Sequence, residues 1–167
     1  INHYGRSKYY GELALHYYPN KYILRMSWAM GGGPKLDKKF VNLIYQQVKR
    51  GKKMIYAVSD KIGSPTYTRD VAKTIKNFLE NKVPYGIYHV VGKGAVSRYD
   101  IAKAIVEIMG EKDTEVTAVQ SKVFDSKYFA PRATNEGMVS IMTPPSASSM
   151  RDWRESLEDY LKEYYND

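Results

Sequence analysis

Tyr4 and Lys8 stand four residues apart near the start of the chain. On a helix that spacing puts both side chains on one face, one turn apart. An ammonium in that place favours the tyrosine's phenolate form and lowers its pKa. A tyrosine tuned this way can pass a proton to or from a substrate oxygen near neutral pH. Taken alone, the pair also fits an ordinary surface contact, because Tyr and Lys recur at this spacing by chance. The wider string is more specific: Tyr4-Gly5-Arg6-Ser7-Lys8, followed by Gly11 and Glu12.

The elements that must position this pair can be read along the chain. Tyr4 to about His16 reads as a helix, stopped by Pro19. Tyr22 to Trp28 reads as a buried strand. Gly31-Gly32-Gly33-Pro34 is a flexible break. Phe40, Ile44 and Val48 recur every four residues and predict a helix from about Lys38 to Arg50, with Gly51 as its stop. Met54 to Val58 is a short strand. Thr68 is expected to cap a helix whose apolar face carries Val71, Ile75 and Leu79. Gly86 to Gly92 reads as a second buried strand. Ser97 and Asp100 form a capping-box pattern opening a helix with Ile101, Ile105 and Ile108, which ends at Gly110. Val116 to Val119 is a strand, and 122–149 reads as irregular. Ser149 is expected to open a last helix with Trp153, Leu157 and Leu161 on one face. Strands alternating with helices predict an α/β protein, and no linker divides it, so residues 1–167 are expected to form a single α/β unit.

Composition narrows the function. The chain has 167 residues, 43% hydrophobic and 26% charged, as in an ordinary globular domain with one core. No run of about 18 apolar residues occurs, so no membrane span is expected. There is no cysteine, which removes disulfides and thiolate chemistry and suits a cytoplasmic protein. The chain does not begin with Met and shows no signal peptide, so it is expected to be a piece of a longer protein. The net charge of +8 favours anionic partners. Yet Lys and Arg are dispersed, and no RRM, homeodomain or zinc-finger spacing occurs, so no nucleic-acid partner is expected. Most of the sixteen tyrosines are expected to be packing residues.

Other chemistries lack their signatures. Gly31-Gly32-Gly33 does not continue as a phosphate loop, and no Gly-x-Gly-x-x-Gly follows a strand. No Gly-x-Ser-x-Gly elbow supports a hydrolase. The three histidines have no metal-ligand spacing, and no metal is expected; His89 reads as a satisfied core residue. The second informative string runs from Ser59 to Ala72 and contains Gly63-Ser64-Pro65-Thr66. Read alone, it is a turn entering a helix. Three more blocks follow a set order with it: Leu24-Arg25-Met26-Ser27-Trp28, Gly86-Ile87-Tyr88-His89-Val90 and Asp152-Trp153-Arg154-Glu155-Ser156-Leu157.

The opening string resembles the active-site helix of the extended short-chain dehydrogenase/reductase family. The whole succession, from Asn2 to about Leu161, is similar to the C-terminal half of that family's dTDP-4-dehydrorhamnose reductase branch. The resemblance implies the C-terminal part of a Rossmann-type doubly wound domain plus the substrate-binding subdomain, without the N-terminal dinucleotide-binding half. It implies reduction of the C4 keto group of a dTDP-sugar by NADPH or NADH in the full-length protein. Tyr4 would be the proton donor; Lys8 would lower its pKa and hold the nicotinamide ribose. Met26, Ser27 and Trp28 would line the nicotinamide and sugar pocket. Gly63, Ser64, Pro65 and Thr66 would shape the substrate side. Arg132 would lie near the bound nucleotide-sugar, although Ala133 replaces the proline usual after it. Lys39 stands where the family often has Asn, a second departure that bears on the sugar and not on the fold. A homo-oligomer is expected, and the piece alone is expected to be inactive. Three alternatives stay open: an epimerase or dehydratase of the same superfamily, a non-catalytic regulatory subunit on this fold, and, last, a basic nucleic-acid-binding module.

Overall fold

The computed structural model describes residues 2–127, 133–144 and 147–165. In chain order the elements are α1 (His3–Ala14), β1 (Tyr22–Arg25), β2 (Ala29–Met30), α2 (Gly33–Leu36), α3 (Phe40–Lys49) and β3 (Met54–Val58). There follow β4 (Ile62–Gly63), β5 (Thr66–Tyr67), α4 (Thr68–Glu80), β6 (Gly86–His89), β7 (Val96–Ser97) and α5 (Arg98–Ile108). The last are β8 (Glu115–Val119), a 3-10 helix (Ser121–Lys127), β9 (Asn135–Glu136) and α6 (Trp153–Tyr164). Three strand pairs are parallel: β1 with β6, β2 with β5 and β3 with β8. β4 runs antiparallel to β7 and parallel to β9. Parallel pairing joined by helices is the α/β class expected from the sequence.

Helix α5 packs on β3 and β8, with α3 and α6 against it and α6 also on β5. Val41, Ile44, Tyr45, Val48, Ile55, Ile101, Ile105, Leu157, Tyr160 and Leu161 are buried together there. Each such side chain contributes roughly 1.5–3 kcal/mol by leaving water. The tyrosines join this core with their hydroxyls satisfied: Tyr160 donates to Asp37 at 3.0 Å, and Tyr45 to the Tyr165 carbonyl at 2.6 Å. A second cluster of Val71, Phe78, Val83, Tyr88 and Val90 packs with Tyr22 and Leu24 beneath β1 and β6.

The capping box at α5 forms as the sequence predicts. The Asp100 amide donates to Ser97 Oγ at 3.1 Å, and the Ser97 amide donates to Asp100 Oδ2 at 2.8 Å. Other readings are corrected. The α4 helix buries Asp70, Val71, Thr74 and Phe78, whereas Ile75 and Leu79 face outward, 41% and 62% exposed. The apolar period misleads because the buried face holds polar groups with partners. Asp70, 1% exposed, accepts from Arg151 Nε at 3.1 Å, Arg151 Nη2 at 2.9 Å and Ser156 Oγ at 3.1 Å. Thr74 Oγ1 accepts from the Ser149 amide at 2.9 Å. Such pairing is what makes a buried carboxylate tolerable.

Tyr67, not Thr68, holds the N-cap position of α4, and Asp152, not Ser149, caps α6 by accepting from the Arg154 amide at 2.9 Å. The strand at Tyr22 ends at Arg25, and the one at Gly86 ends at His89. The 122–149 stretch contains the end of the 3-10 helix and β9. Gly31-Gly32-Gly33 is a packed turn, with φ of 152°, 87° and 66°. A Cβ at Gly31 would come within 1.9 Å of Thr68 Oγ1, and one at Gly33 within 2.5 Å of Tyr164 Cδ1. The glycines are there for backbone shape and close approach.

Candidate active site

Helix α1 begins at the Asn2 N-cap, whose Oδ1 accepts from the Gly5 amide at 2.8 Å. It carries Tyr4 and Lys8 one turn apart, both exposed. Lys8 Nζ lies 5.3 Å from the centroid of the Tyr4 ring, within cation–π range. Ser7 Oγ, between them in sequence, donates to the Tyr4 carbonyl at 2.8 Å. No described residue of α1 is buried. A bidentate pair holds the helix to β1: Arg25 Nε donates to Glu12 Oε1 at 2.8 Å, and Arg25 Nη2 to Glu12 Oε2 at 2.7 Å. The fork geometry of guanidinium and carboxylate makes such contacts specific as well as strong. Those hydrogen bonds hold the Glu12 carboxyl below the ordinary glutamate value against the opposing effect of burial, and the Coulombic pull of Arg25 adds to them.

β1 delivers the next group of residues. Beyond Arg25 at its C-terminal end come Met26, which is exposed, then Ser27, which is buried, then Trp28, which is half-buried. The carboxyl ends of parallel strands are where α/β folds place ligands. Ser27 Oγ donates to the Glu136 carbonyl at 2.8 Å and accepts from the Ser64 amide at 3.2 Å. Trp28 Nε1 donates to Glu136 Oε2 at 2.7 Å. The Trp28 carbonyl accepts from the Thr66 amide at 3.0 Å. Gly63 lies flat against the indole, since a Cβ there would come within 2.2 Å of Trp28 Cε2. The Arg98 guanidinium carbon is 4.3 Å from the Trp28 ring centroid and 4.9 Å from that of Phe40.

The strings around Trp28 and Gly63, far apart in sequence, are therefore brought together with β9. Within this group Ser64, Pro65 and Thr66 are buried. Ser64 Oγ donates to the Met138 carbonyl and accepts from its amide, both at 3.2 Å. Thr66 Oγ1 donates to the Ser64 carbonyl at 3.0 Å and accepts from the Gly92 amide at 3.3 Å. These hydroxyls are engaged inside the protein, so the Gly63–Thr66 turn is held in place against Trp28. Arg132 lies outside the described residues. His89, at the end of β6 beside Arg25, is half-buried, with Nδ1 3.1 Å from the Val139 carbonyl.

Sequence reading passed over Glu136 and Arg98. Arg98 stands within the Ser97–Asp100 capping box and Glu136 in no local pattern, and neither signals its partner Trp28, which is reached only through tertiary folding. Glu12 and Arg25 both stood in the quoted strings, but nothing in spacing paired them. Among the described residues, no group of three or more His, Cys, Asp or Glu could hold a metal ion. No helix of the structure is long and apolar enough to cross a membrane, among the described residues. Tyr4 and Lys8, exposed on one face of α1, are the groups here that could hold a cofactor's ribose, on a helix tied to β1 through Glu12. The Gly31–Gly33 turn is filled by Thr68, Leu36 and Tyr164 side chains and leaves no cradle for a pyrophosphate.

Parallel strand pairs joined by helices, with an exposed Tyr-x-x-x-Lys helix tied to one strand through Glu12 and Arg25, define a Rossmann-like α/β unit. The model of one family, described as "RmlD substrate binding domain", matches residues 1–166, and the chain belongs to that family. A dTDP-4-dehydrorhamnose reductase of Mycolicibacterium smegmatis is 34% identical over 161 residues, which are 95% of this chain and 48% of that protein. The crystal structure of the dTDP-4-dehydrorhamnose reductase of Yersinia enterocolitica superposes with a TM-score of 0.87 at 38% identity, covering 95% of this chain and 55% of that one. The corresponding enzyme of Bacillus anthracis, solved in complex with NADP, gives a TM-score of 0.82 at 31% identity over 96% of this chain and 55% of that one. The chain thus spans about half the length of the relatives it matches.

Proposed function

We propose that this chain supplies the proton-donating helix and the substrate side of an NAD(P)H-dependent reductase acting on the 4-keto group of a dTDP-sugar, dTDP-4-dehydrorhamnose. The observation that carries the reading is the placement of Tyr4 and Lys8 on one face of α1, tied through Glu12 and Arg25 to the strand that leads into Trp28. Membership of a family whose relatives are named for this reduction supports the reading.

A bound nicotinamide supplies the hydride that reaches C4. The Tyr4 phenol gives its proton to the C4 oxygen, so the ketone becomes a secondary alcohol. Lys8 stabilises the phenolate left on Tyr4 and holds a ribose hydroxyl. Met26 offers its exposed side chain to the nicotinamide. Ser27, with its hydroxyl engaged, offers backbone. Trp28 meets the sugar, and Gly63, Ser64, Pro65 and Thr66 fix the place of Trp28. Arg132 takes the diphosphate, for which a guanidinium is well shaped. Residues 1–167 work as one α/β unit in this scheme, with α1, β1 and β6 serving the cofactor side. The two acceptable cofactors are NADPH and NADH, and the enzyme is a homo-oligomer working in the cytoplasm.

The test is turnover by a longer protein carrying this chain. With dTDP-4-dehydrorhamnose it should oxidise NADPH or NADH stoichiometrically and yield dTDP-rhamnose. Sugar conversion without net cofactor oxidation would assign an epimerase or dehydratase instead. No turnover of any dTDP-sugar would favour the regulatory-subunit alternative.

A further inference from the structure

We infer that Glu136 and Arg98 are positioning residues that lock the Trp28 indole for the nucleotide-sugar, so that Trp28 meets its ligand through ring carbons and not through its N–H. The inference rests on the reading of Trp28 as a sugar contact. It starts from the two charges that flank one ring. An aromatic ring is negative on its face and positive at its edge. Arg98 places a guanidinium 4.3 Å from the ring centroid, and Glu136 places a carboxylate oxygen 2.7 Å from the indole nitrogen. Cation and anion therefore each meet the part of the ring that attracts them. Phe40 backs the guanidinium at 4.9 Å, and the Gly63 backbone closes on the Cδ2–Cε2 bond, leaving no room for a methyl group.

Four separate segments thus converge on a half-buried tryptophan. The single polar atom of the indole is held by a carboxylate from 108 residues away, and the ring by a cation and a close backbone. Residue 136 also binds the chain next door, because its carbonyl accepts from Ser27 Oγ at 2.8 Å. That second bond uses the backbone, so it survives any change of the Glu136 side chain. The docking of β9 and the clamp on Trp28 are therefore separable by mutation. The indole N–H is a donor only, with one hydrogen to give. Since Glu136 accepts that hydrogen, a sugar hydroxyl has no donor to take from Trp28, and with Arg98 and Gly63 lying against the ring, recognition falls to contact with the ring-edge carbons they leave open.

Two measurements test this. In the ¹⁵N-labelled chain, with Trp153→Phe used to assign the two indole resonances, the Trp28 N–H should exchange slowly and lie downfield. Glu136→Leu should move it upfield and speed its exchange, while Glu136→Gln, which keeps an acceptor, should restore most of the protection. In a longer reductase carrying this chain, Glu136→Leu should raise the KM for the dTDP-sugar by about tenfold, the scale of one lost hydrogen bond, with kcat within about threefold of the starting enzyme. Glu136→Gln should return KM to within about threefold. An unmoved indole resonance in Glu136→Leu overturns the clamp. A freed indole with unchanged KM overturns its role in recognition. Failure of the underlying reading looks different: there Trp28→Phe itself leaves KM unchanged, or the wild type turns over no dTDP-sugar, while the resonance still reports on the clamp.

Discussion

At the scale of residues, the site is built from side chains that mostly bind one another. Ser27, Ser64 and Thr66 consume their own hydroxyls, and what they fix is the surroundings of Trp28. Gly63 shows how tightly that position is set. Substituting Gly63→Ala would drive a methyl group into the indole, 2.2 Å from Cε2. Overpacking of this kind should cost about 1–3 kcal/mol, and the ring must shift to relieve it. The urea midpoint of Gly63→Ala should fall accordingly, and a midpoint equal to that of the wild type would show that the contact is soft. Little of this layer is legible in sequence. The Gly-Ser-Pro-Thr string was visible as a turn, and Trp28 as the end of a strand. Their junction with Glu136 was not, because it joins residues 108 apart and no local period encodes such a contact.

At the scale of elements, helix α1 is the weakly held part. It buries none of its described residues, and a surface ion pair of Glu12 and Arg25 ties it to β1. That tie depends on pH in a definite direction. The hydrogen bonds from Arg25 hold the Glu12 carboxyl below its ordinary value of 4.5. Between the lowered native value and the ordinary one, the unfolded chain binds more protons, so stability rises with pH there. The contribution is complete above the ordinary value and disappears as pH falls through the native one. Protection factors of the α1 amides, with the intrinsic pH dependence of exchange divided out, should therefore fall as the solution is acidified through that window. Arg25→Met should abolish the pH dependence, and an identical profile in that variant would place the effect elsewhere. The helix itself was legible, since the Tyr–Lys spacing declares its face and Pro19 lies beyond its end, whereas the Asn2 cap was not read. The α4 helix was legible in extent but not in orientation. Apolar period pointed to Ile75 and Leu79, yet Asp70 and Thr74 turn inward because Arg151, Ser156 and Ser149 satisfy them. A polar residue with a distant partner is invisible to a hydrophobicity pattern.

At the scale of the whole molecule, the described surface carries apolar side chains that a monomer would leave in water. Tyr9, Tyr10 and Leu13 on α1 and Ile87 on β6 are all exposed, beside a sheet that holds only β1 and β6. Contiguous apolar surface and open strand edges favour association. Light scattering of the isolated chain should report a dimer or larger species at micromolar concentration, and Leu13→Glu with Ile87→Glu should shift it toward monomer. A monomeric wild type would mean that these side chains are too dispersed to associate. The α/β class and the order of the elements were legible because helix and strand periods alternate along the chain. The number of strands per sheet was not, since pairing depends on what lies beside each edge.

The account turns on Tyr4 as the proton donor. The most direct test is the rate of NADPH oxidation with dTDP-4-dehydrorhamnose by a longer protein carrying this chain, measured for the wild type and for Tyr4→Phe, which removes the phenol oxygen and keeps the ring. The account predicts that kcat falls by at least about 10²-fold in the variant, the scale of general acid catalysis, with substrate KM little changed. Full turnover by Tyr4→Phe would contradict it.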